Sequence, residues 1–308
     1  MRSNKWTDAI AALLIGALAL VWIAPAIAEN RWGATYFPNV PLVTHEGVTV
    51  RFYDDLLKGK AVAINAIYTS CKDECPLETA KLLQLTRLLG DRVGRDIFFY
   101  SITIDPIRDT PEVLKAYAQK FGVGPGWLFV TGAPEDVKVI VKKLGLIRSR
   151  DAETRDGHSA ILMVGDEPRG QWMRNSAVDN PKFLASTIGT FLGWRDSTPR
   201  RSYTEARPVT PDRGAWVFRT RCSACHTIGH GDGVGPDLAG VTERRDRAWL
   251  TRYVAEPDRV LAEGDPIATE LVAKYKNIAM PNLRLDHAEL ADVLLYLEKW
   301  AQAPPAAR

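Results

Sequence analysis

At 308 residues the chain has room for about two domains of ~150 residues each. Hydrophobic residues make up 46% and charged residues 25%, an ordinary globular balance, so disordered and collagen-like classes are excluded. A net charge of +3, with no basic cluster interleaved with aromatics, leaves no footprint for nucleic acid.

Arg2 and Lys5 precede an uncharged run from Ala9 to Ala28. About 20 apolar residues can span a bilayer, and Pro25-Ala26-Ile27-Ala28 before Glu29 has the form of a signal-peptidase site. Residues 1–28 are therefore expected to be a signal peptide or a membrane anchor, either of which carries the rest across a membrane. Residues 29–47 hold Pro38, Pro41 and Gly47 and are expected to form a lead-in loop with little regular structure. Val48–Phe52 alternates weakly and fits a strand. Ala61–Ile67 and Ile97–Ile104 are short, apolar and partly β-branched, the pattern of buried strands in an α/β sheet. Between them, Leu77–Leu89 predicts a helix with a leucine face, stopped by Gly90.

Tyr68-Thr69-Ser70-Cys71-Lys72-Asp73-Glu74-Cys75-Pro76 thus joins a strand to a helix and holds two of the four cysteines. The dipole of a helix start favours thiolate there. Thr110 as N-cap and Pro111 at the first helical position predict a helix to about Phe121. Trp127–Val130 reads as a strand, and Pro134 opens a helix that Gly145 ends. Ala160–Val164 and Gln171–Arg174 fit paired strands around an Asp166–Gly170 turn, and Pro181–Phe191 fits a helix. Alternating strands and helices place this half in the α/β class.

Arg195–Pro211 is polar, with Pro199, Pro208 and Pro211, and is expected to be a semi-rigid linker. Beyond it lie a short helix at Gly214–Arg221, a glycine-rich loop at Gly229–Gly240 and a helix at Arg247–Ala255. A closing helix spans Asp286–Trp300, and Asp286 with Glu289 suits a capping box at its start. The last residues, Pro304–Arg308, are expected to fray.

The four cysteines form two close pairs, too few to staple a chain of this length, and point to cofactor, metal or redox chemistry. Cys222-Ser223-Ala224-Cys225-His226 is the C-x-x-C-H pattern of c-type haem attachment. Two thiols one helical turn apart form thioethers to the two vinyl groups, and the adjacent histidine lies beneath the iron. A zinc site would want four closed ligands, and this half has no further cysteine. Met280, the only methionine after Met173, is the candidate second axial ligand. Histidine–methionine ligation raises the iron potential and suits electron transfer. His230 is expected in a loop and His287 exposed on the last helix. The glycine alternation Gly229–Gly235 is no dinucleotide fingerprint, because no strand precedes it.

The segment Pro208–Ala303 resembles a class I cytochrome c domain. Gly214 and Phe218 on the first helix, Cys222–His226, Gly235-Pro236-Asp237-Leu238, Met280-Pro281 and Tyr296 carry the resemblance. It implies a small all-α fold, one covalent haem c, and a bond from the axial histidine ring to the Pro236 carbonyl.

Cys71-x-x-x-Cys75 permits a disulfide if the backbone bends, or lets both sulfurs face one metal. Two thiolates and an imidazole suit Cu(I). The histidines of this half are His45, in the lead-in, and His158, in Asp156-Gly157-His158-Ser159-Ala160. Asp105 follows the neighbouring strand and either approaches the thiols or caps the Asp105–Pro111 turn. Residues 42–192 resemble the SCO/SenC copper-binding family in Tyr53-Asp54-Asp55-Leu56, Tyr68–Pro76, Ser101–Pro106 with Asp109-Thr110-Pro111, and Gly157-His158-Ser159. That resemblance implies a thioredoxin-like fold and copper held by Cys71, Cys75 and His158.

The two resemblances imply an SCO-like domain over 42–194, a linker over 195–211 and a cytochrome c domain over 212–303. They imply a copper metallochaperone or redox assembly factor for the copper site of cytochrome c oxidase. It would work on the periplasmic side of the bacterial inner membrane, with its haem exchanging electrons with the copper–dithiol site. The expected partners are the copper-bearing oxidase subunit, other periplasmic copper chaperones or respiratory cytochromes, and the membrane through the N-terminus. Copper and haem each pass one electron and a dithiol two, so one haem acts twice or through copper. Two alternatives stay open. One is a thiol–disulfide oxidoreductase with Cys71 and Cys75 as catalytic dithiol and the haem as relay. The other is a redox or copper sensor docked through its haem.

Overall fold

The computed structural model describes residues 32–71, 74–147, 160–194 and 212–302. The expected signal or anchor, the linker, the C-terminal end and His158 lie outside these residues. Among the described residues no helix is long and apolar enough to cross a membrane.

The first half builds β1 (Pro41–Thr44), β2 (Thr49–Arg51), β3 (Ala61–Ile67), β4 (Phe98–Thr103), β5 (Trp127–Gly132), β6 (Ile161–Asp166) and β7 (Gln171–Ser176). They form one sheet in the order β2-β1-β5-β4-β3-β6-β7. β3, β4 and β5 are parallel, and the outer strands pair antiparallel. The helices are α1 (Glu74–Leu89), α2 (Pro111–Phe121), α3 (Pro134–Lys143) and α4 (Pro181–Phe191). Side chains alternate across β3 with the two-residue strand period. Ala63 and Ile67 join Leu82 and Leu85 of α1, Leu114 of α2 and Leu184 of α4 on one face. Val62, Ile64 and Ala66 join Val137 and Ile140 of α3 on the other. This is a mixed α/β, thioredoxin-like layer arrangement.

Residues 41–44, expected as loop, form a strand. Pro41 stands at the strand's first residue, where a missing N–H costs least, and Leu42 is fully buried. The expected Thr110 cap is present: its hydroxyl accepts from the Val113 amide. Gly122 ends α2 at φ 69°, a stop that was not among the expected ones.

The second half is helical: α5 (Arg213–Val217), continuing as a widened turn over Phe218–Cys222, then α6 (Val241–Arg244), α7 (Arg247–Ala255), α8 (Pro257–Ala262), α9 (Pro266–Lys274) and α10 (His287–Gln302). α6, α8 and α9 are additional to the expected helices. α5 crosses α10 closely because Gly214 has no side chain. A Cβ there would lie 2.2 Å from the Asp292 carbonyl oxygen and 2.6 Å from Tyr296 Cβ. Asp286 and Glu289 form the expected reciprocal box at the head of α10, with bonds of 3.2 and 2.8 Å.

Candidate metal and haem centres

The first cysteine pair sits at the C-terminal end of β3. Its loop is pinned by Asp109, a 1% exposed carboxylate in the turn between β4 and α2. Asp109 accepts from the Thr69 amide at 3.1 Å, from the Thr69 hydroxyl at 2.5 Å and from the Thr103 hydroxyl at 2.5 Å. The Cys71 amide then donates to the Tyr68 carbonyl. α1 starts at Glu74, three residues before the expected start, so Cys75 and Pro76 lie in its first turn, where proline is tolerated.

Cys71 and Cys75 are both buried and pack with Tyr68 and Ile104. The Cys75 amide donates to Cys71 Sγ at 3.5 Å. At Cys75 burial works against the thiolate that a helix start favours. Burial pushes its thiol well above the usual range, and the neighbouring Cys71 thiol and Glu78 add to the rise. Desolvation of a charge outweighs a partial helix dipole at a fully buried sulfur. Behind the thiol, the Cys75 carbonyl accepts from the Thr79 hydroxyl at 2.9 Å and from the Tyr117 hydroxyl at 3.3 Å.

Asp105 bonds Arg108 at 3.0 Å, and its carbonyl accepts from the Arg108 and Asp109 amides, so it organises the turn before α2. His45 is structural: its Nδ1 accepts from the Phe129 amide at 3.1 Å and its ring packs edge-on to Phe129. Among the described residues no three His, Cys, Asp or Glu side chains cluster as a metal site. The described thiol pair supplies two soft donors. His158 lies outside the described residues.

Of the second pair, Cys222 lines a cavity of about 500 Å³, shared with His226, Met280 and apolar residues that include Leu250 and Leu294. Cys225 lines a smaller cavity, to which His226 and Met280 also contribute. The His226 ring donates from Nδ1 to the Pro236 carbonyl at 2.9 Å. A carbonyl only accepts, so that bond fixes the Nδ1–H tautomer and leaves the Nε2 lone pair for a metal. Burial lowers the pKa of His226, while the Pro236 bond opposes the shift. Gly235 gives the ring its room: a Cβ there would lie 2.8 Å from His226 Cε1. Burial pushes the Cys222 and Cys225 thiols up to about 12. Two adjacent thiols, a neutral imidazole with a free nitrogen, a thioether and an apolar cavity are a donor set and space that fit a c-type haem. His230 and His287 are exposed, away from this arrangement.

Asp237 was not foreseen as a structural residue. Its carboxylate accepts from the Gly229, His230, Gly231 and Ala239 amides and from the Thr227 hydroxyl, and so ties the loop behind His226.

The two centres are adjacent. Lys81 Nζ of α1 donates to the Thr220 carbonyl at 2.8 Å, and Gln84 Nε2 donates to the Ser223 carbonyl at 2.7 Å. Ala224, inside the C-x-x-C-H motif, is buried in the same apolar cluster as Leu77 and Ala80 of α1. Pro76, next to Cys75, lines the smaller cavity together with Cys225, His226 and Met280.

Fold and centres define a thioredoxin-like thiol domain carrying a helical cytochrome c domain. The SCO1/SenC family model matches residues 33–191, and the cytochrome c model matches residues 211–301. The chain belongs to the SCO1/SenC family and has a C-terminal cytochrome c domain. Protein SenC of Rhodobacter capsulatus is 30% identical over 155 residues, covering 49% of this chain and 68% of that protein. The SCO2-like protein RP587 of Rickettsia prowazekii is 31% identical over 134 residues, 42% of this chain and 63% of that protein. A protein of Stutzerimonas stutzeri described as a putative copper-binding protein is 28% identical over 165 residues, 49% of this chain and 80% of that protein. The chain thus spans just under two thirds of the length of the Rickettsia relative.

Proposed function

We propose that this protein is a copper-handling assembly factor for the copper site of cytochrome c oxidase, working on the periplasmic side of a bacterial inner membrane. Cys71, Cys75 and His158 hold the copper. Cys222 and Cys225 attach one haem c, with His226 and Met280 as its axial ligands and Pro236 orienting His226. When bound, the haem supplies a one-electron couple to the copper–thiol site. The partners are the copper-bearing oxidase subunit and the respiratory cytochromes or copper chaperones that exchange electrons or metal with this chain.

The observation that carries this reading is the seating of the C-x-x-C-H turn on the helix that starts with Cys75. Pro76 on that helix and Cys225 on the turn line one cavity. A second reading, thiol–disulfide oxidoreduction, draws on the closeness of the two thiols, since Cys75 shares a hydrogen bond with Cys71.

Titration of the reduced, haem-loaded protein with Cu(I) against a competing chelator tests the copper reading. About one tightly held copper, lost in H158A, is the expected result, with two thiols and an imidazole as the soft-metal set. Unchanged binding in H158A, together with rapid exchange of disulfide with a reduced peptide, favours the oxidoreductase. Stopped-flow mixing of the reduced haem protein with Cu(II) tests the relay. No haem oxidation on the timescale of copper binding leaves docking as the role of the second domain.

A further inference from the structure

Lys81 is 3% exposed, although lysine is among the residues least often buried. Its charge is placed at the last turn of the helix that presents the haem cysteines, where backbone carbonyls converge and a cation is favoured. Gln84, one turn further along α1, donates to the residue that caps the same turn. The haem-binding helix therefore receives side-chain donors at its C-terminal end from the other domain. Burial lowers the pKa of Lys81, and the nearby Arg221 cation adds to that, while Asp179 favours its charged form. Thr220 and Ser223, whose carbonyls receive Lys81 and Gln84, flank Cys222, so the ammonium stands beside the C-x-x-C-H turn.

We propose that Lys81 is a positioning and tuning residue: a buried cation, supplied by the cysteine-bearing helix, that holds the C-x-x-C-H turn in place and raises the reduction potential of the haem. The proposal rests on the haem reading above. Reduction adds one negative charge to the haem. A cation held beside the C-x-x-C-H turn, in a medium less polar than water, would stabilise the reduced form of a haem attached there over the oxidised one. Burial and local charge are among the levers by which a protein sets a haem potential. The arrangement makes the potential depend on docking. Separation of the turn from α1 takes the cation away and lowers the potential, so the haem reports the position of the helix that begins at the copper thiols.

The test is a potentiometric titration of the full-length, copper-free, haem-loaded protein, followed at the visible bands of the haem. K81M keeps the apolar stem and removes the charge, and K81R restores a cation. K81M is expected to shift the reduction equilibrium about tenfold toward the oxidised form, about 59 mV for one electron. K81R is expected to stay within about threefold of the wild type, about half of that shift. A K81M potential equal to the wild type overturns the proposal, as does an equal fall in K81M and K81R, which would make packing rather than charge the cause. Because no copper is present, a failed copper–haem exchange leaves this result standing. Failure of the wild-type chain to take up haem defeats the haem reading itself.

Discussion

Replacing Asp109 by alanine removes the acceptor that three donors share behind the first cysteine pair. The Thr103 hydroxyl is fully buried, while the Thr69 amide and hydroxyl are partly accessible. A buried donor left without its acceptor costs roughly 1–3 kcal/mol, and water reaching Thr69 relieves part of that. The expected loss for D109A is about 3 kcal/mol. That is a large share of a typical stability of ~5–15 kcal/mol but not all of it. Urea unfolding of the full-length protein measures the loss. Freed of its pin, the Thr69–Cys71 loop has to be ordered by the metal instead, so Cu(I) affinity falls along with stability. T69V, which removes one of the three donors, gives a smaller effect of the same sign on both measurements. A D109A protein within about 0.5 kcal/mol of the wild type, the ordinary effect of a surface substitution, would refute the reasoning.

G214A forces a Cβ against the Asp292 carbonyl and should spread α5 from α10, costing at least the ~1–3 kcal/mol of an overpacked core; loss of haem incorporation with intact α/β circular dichroism is the readout. Burial opposes ionisation of Asp237, yet the amides of Gly229, Ala239 and Gly231 and the Thr227 hydroxyl hold its carboxyl far below the usual range. Its stabilisation is complete above the unfolded value of ~3.9 and is lost as pH falls through the lower folded value, so the urea stability gap between wild type and D237N should be full near neutral pH and shrink only in strong acid. A224E puts a charge into the apolar cluster shared with Leu77 and Ala80, and is expected to lower hydrogen-exchange protection along α1 while the haem bands persist.

Local chemistry made much of the molecule legible in advance. Thr110 with Pro111, and Asp286 with Glu289, announce helix starts because the capping partners are three residues away. The apolar runs at Ala61–Ile67 and Ile97–Ile104 announce buried strands because both faces of a parallel sheet are covered. What stayed hidden depends on distant partners. Asp109 is visible as part of a helix-start motif, but its bonds to Thr69 cross 40 residues. Lys81 on a helix looks like a solvated lysine until Thr220, 139 residues on, is brought to it. The thiol environment is hidden for a related reason. The helix dipole is local and readable, whereas the burial that overrides it at Cys75 is a property of the packed domain.

The burial of α1 explains why the second domain docks where it does. From Leu77 to Leu83 every residue is buried, including Glu78, Thr79 and Lys81. A helix turns once in 3.6 residues, so seven successive buried positions require cover on every side. The sheet and α4 cover the leucine face, where Leu82 and Leu85 meet Leu184 and Ile188. The C-x-x-C-H turn covers another side, with Ala224 in the same apolar cluster as Leu77 and Ala80 and two backbone carbonyls on Lys81 and Gln84. Those polar contacts fix the register in a way that apolar contact alone would not, since hydrogen bonds are directional and a buried ammonium is costly without them. A tethered domain with no preferred seat would leave Lys81 in water. Its burial marks this face of α1 as built for the turn that rests on it. The helix thereby joins a thiol at its first turn to the C-x-x-C-H turn on its flank.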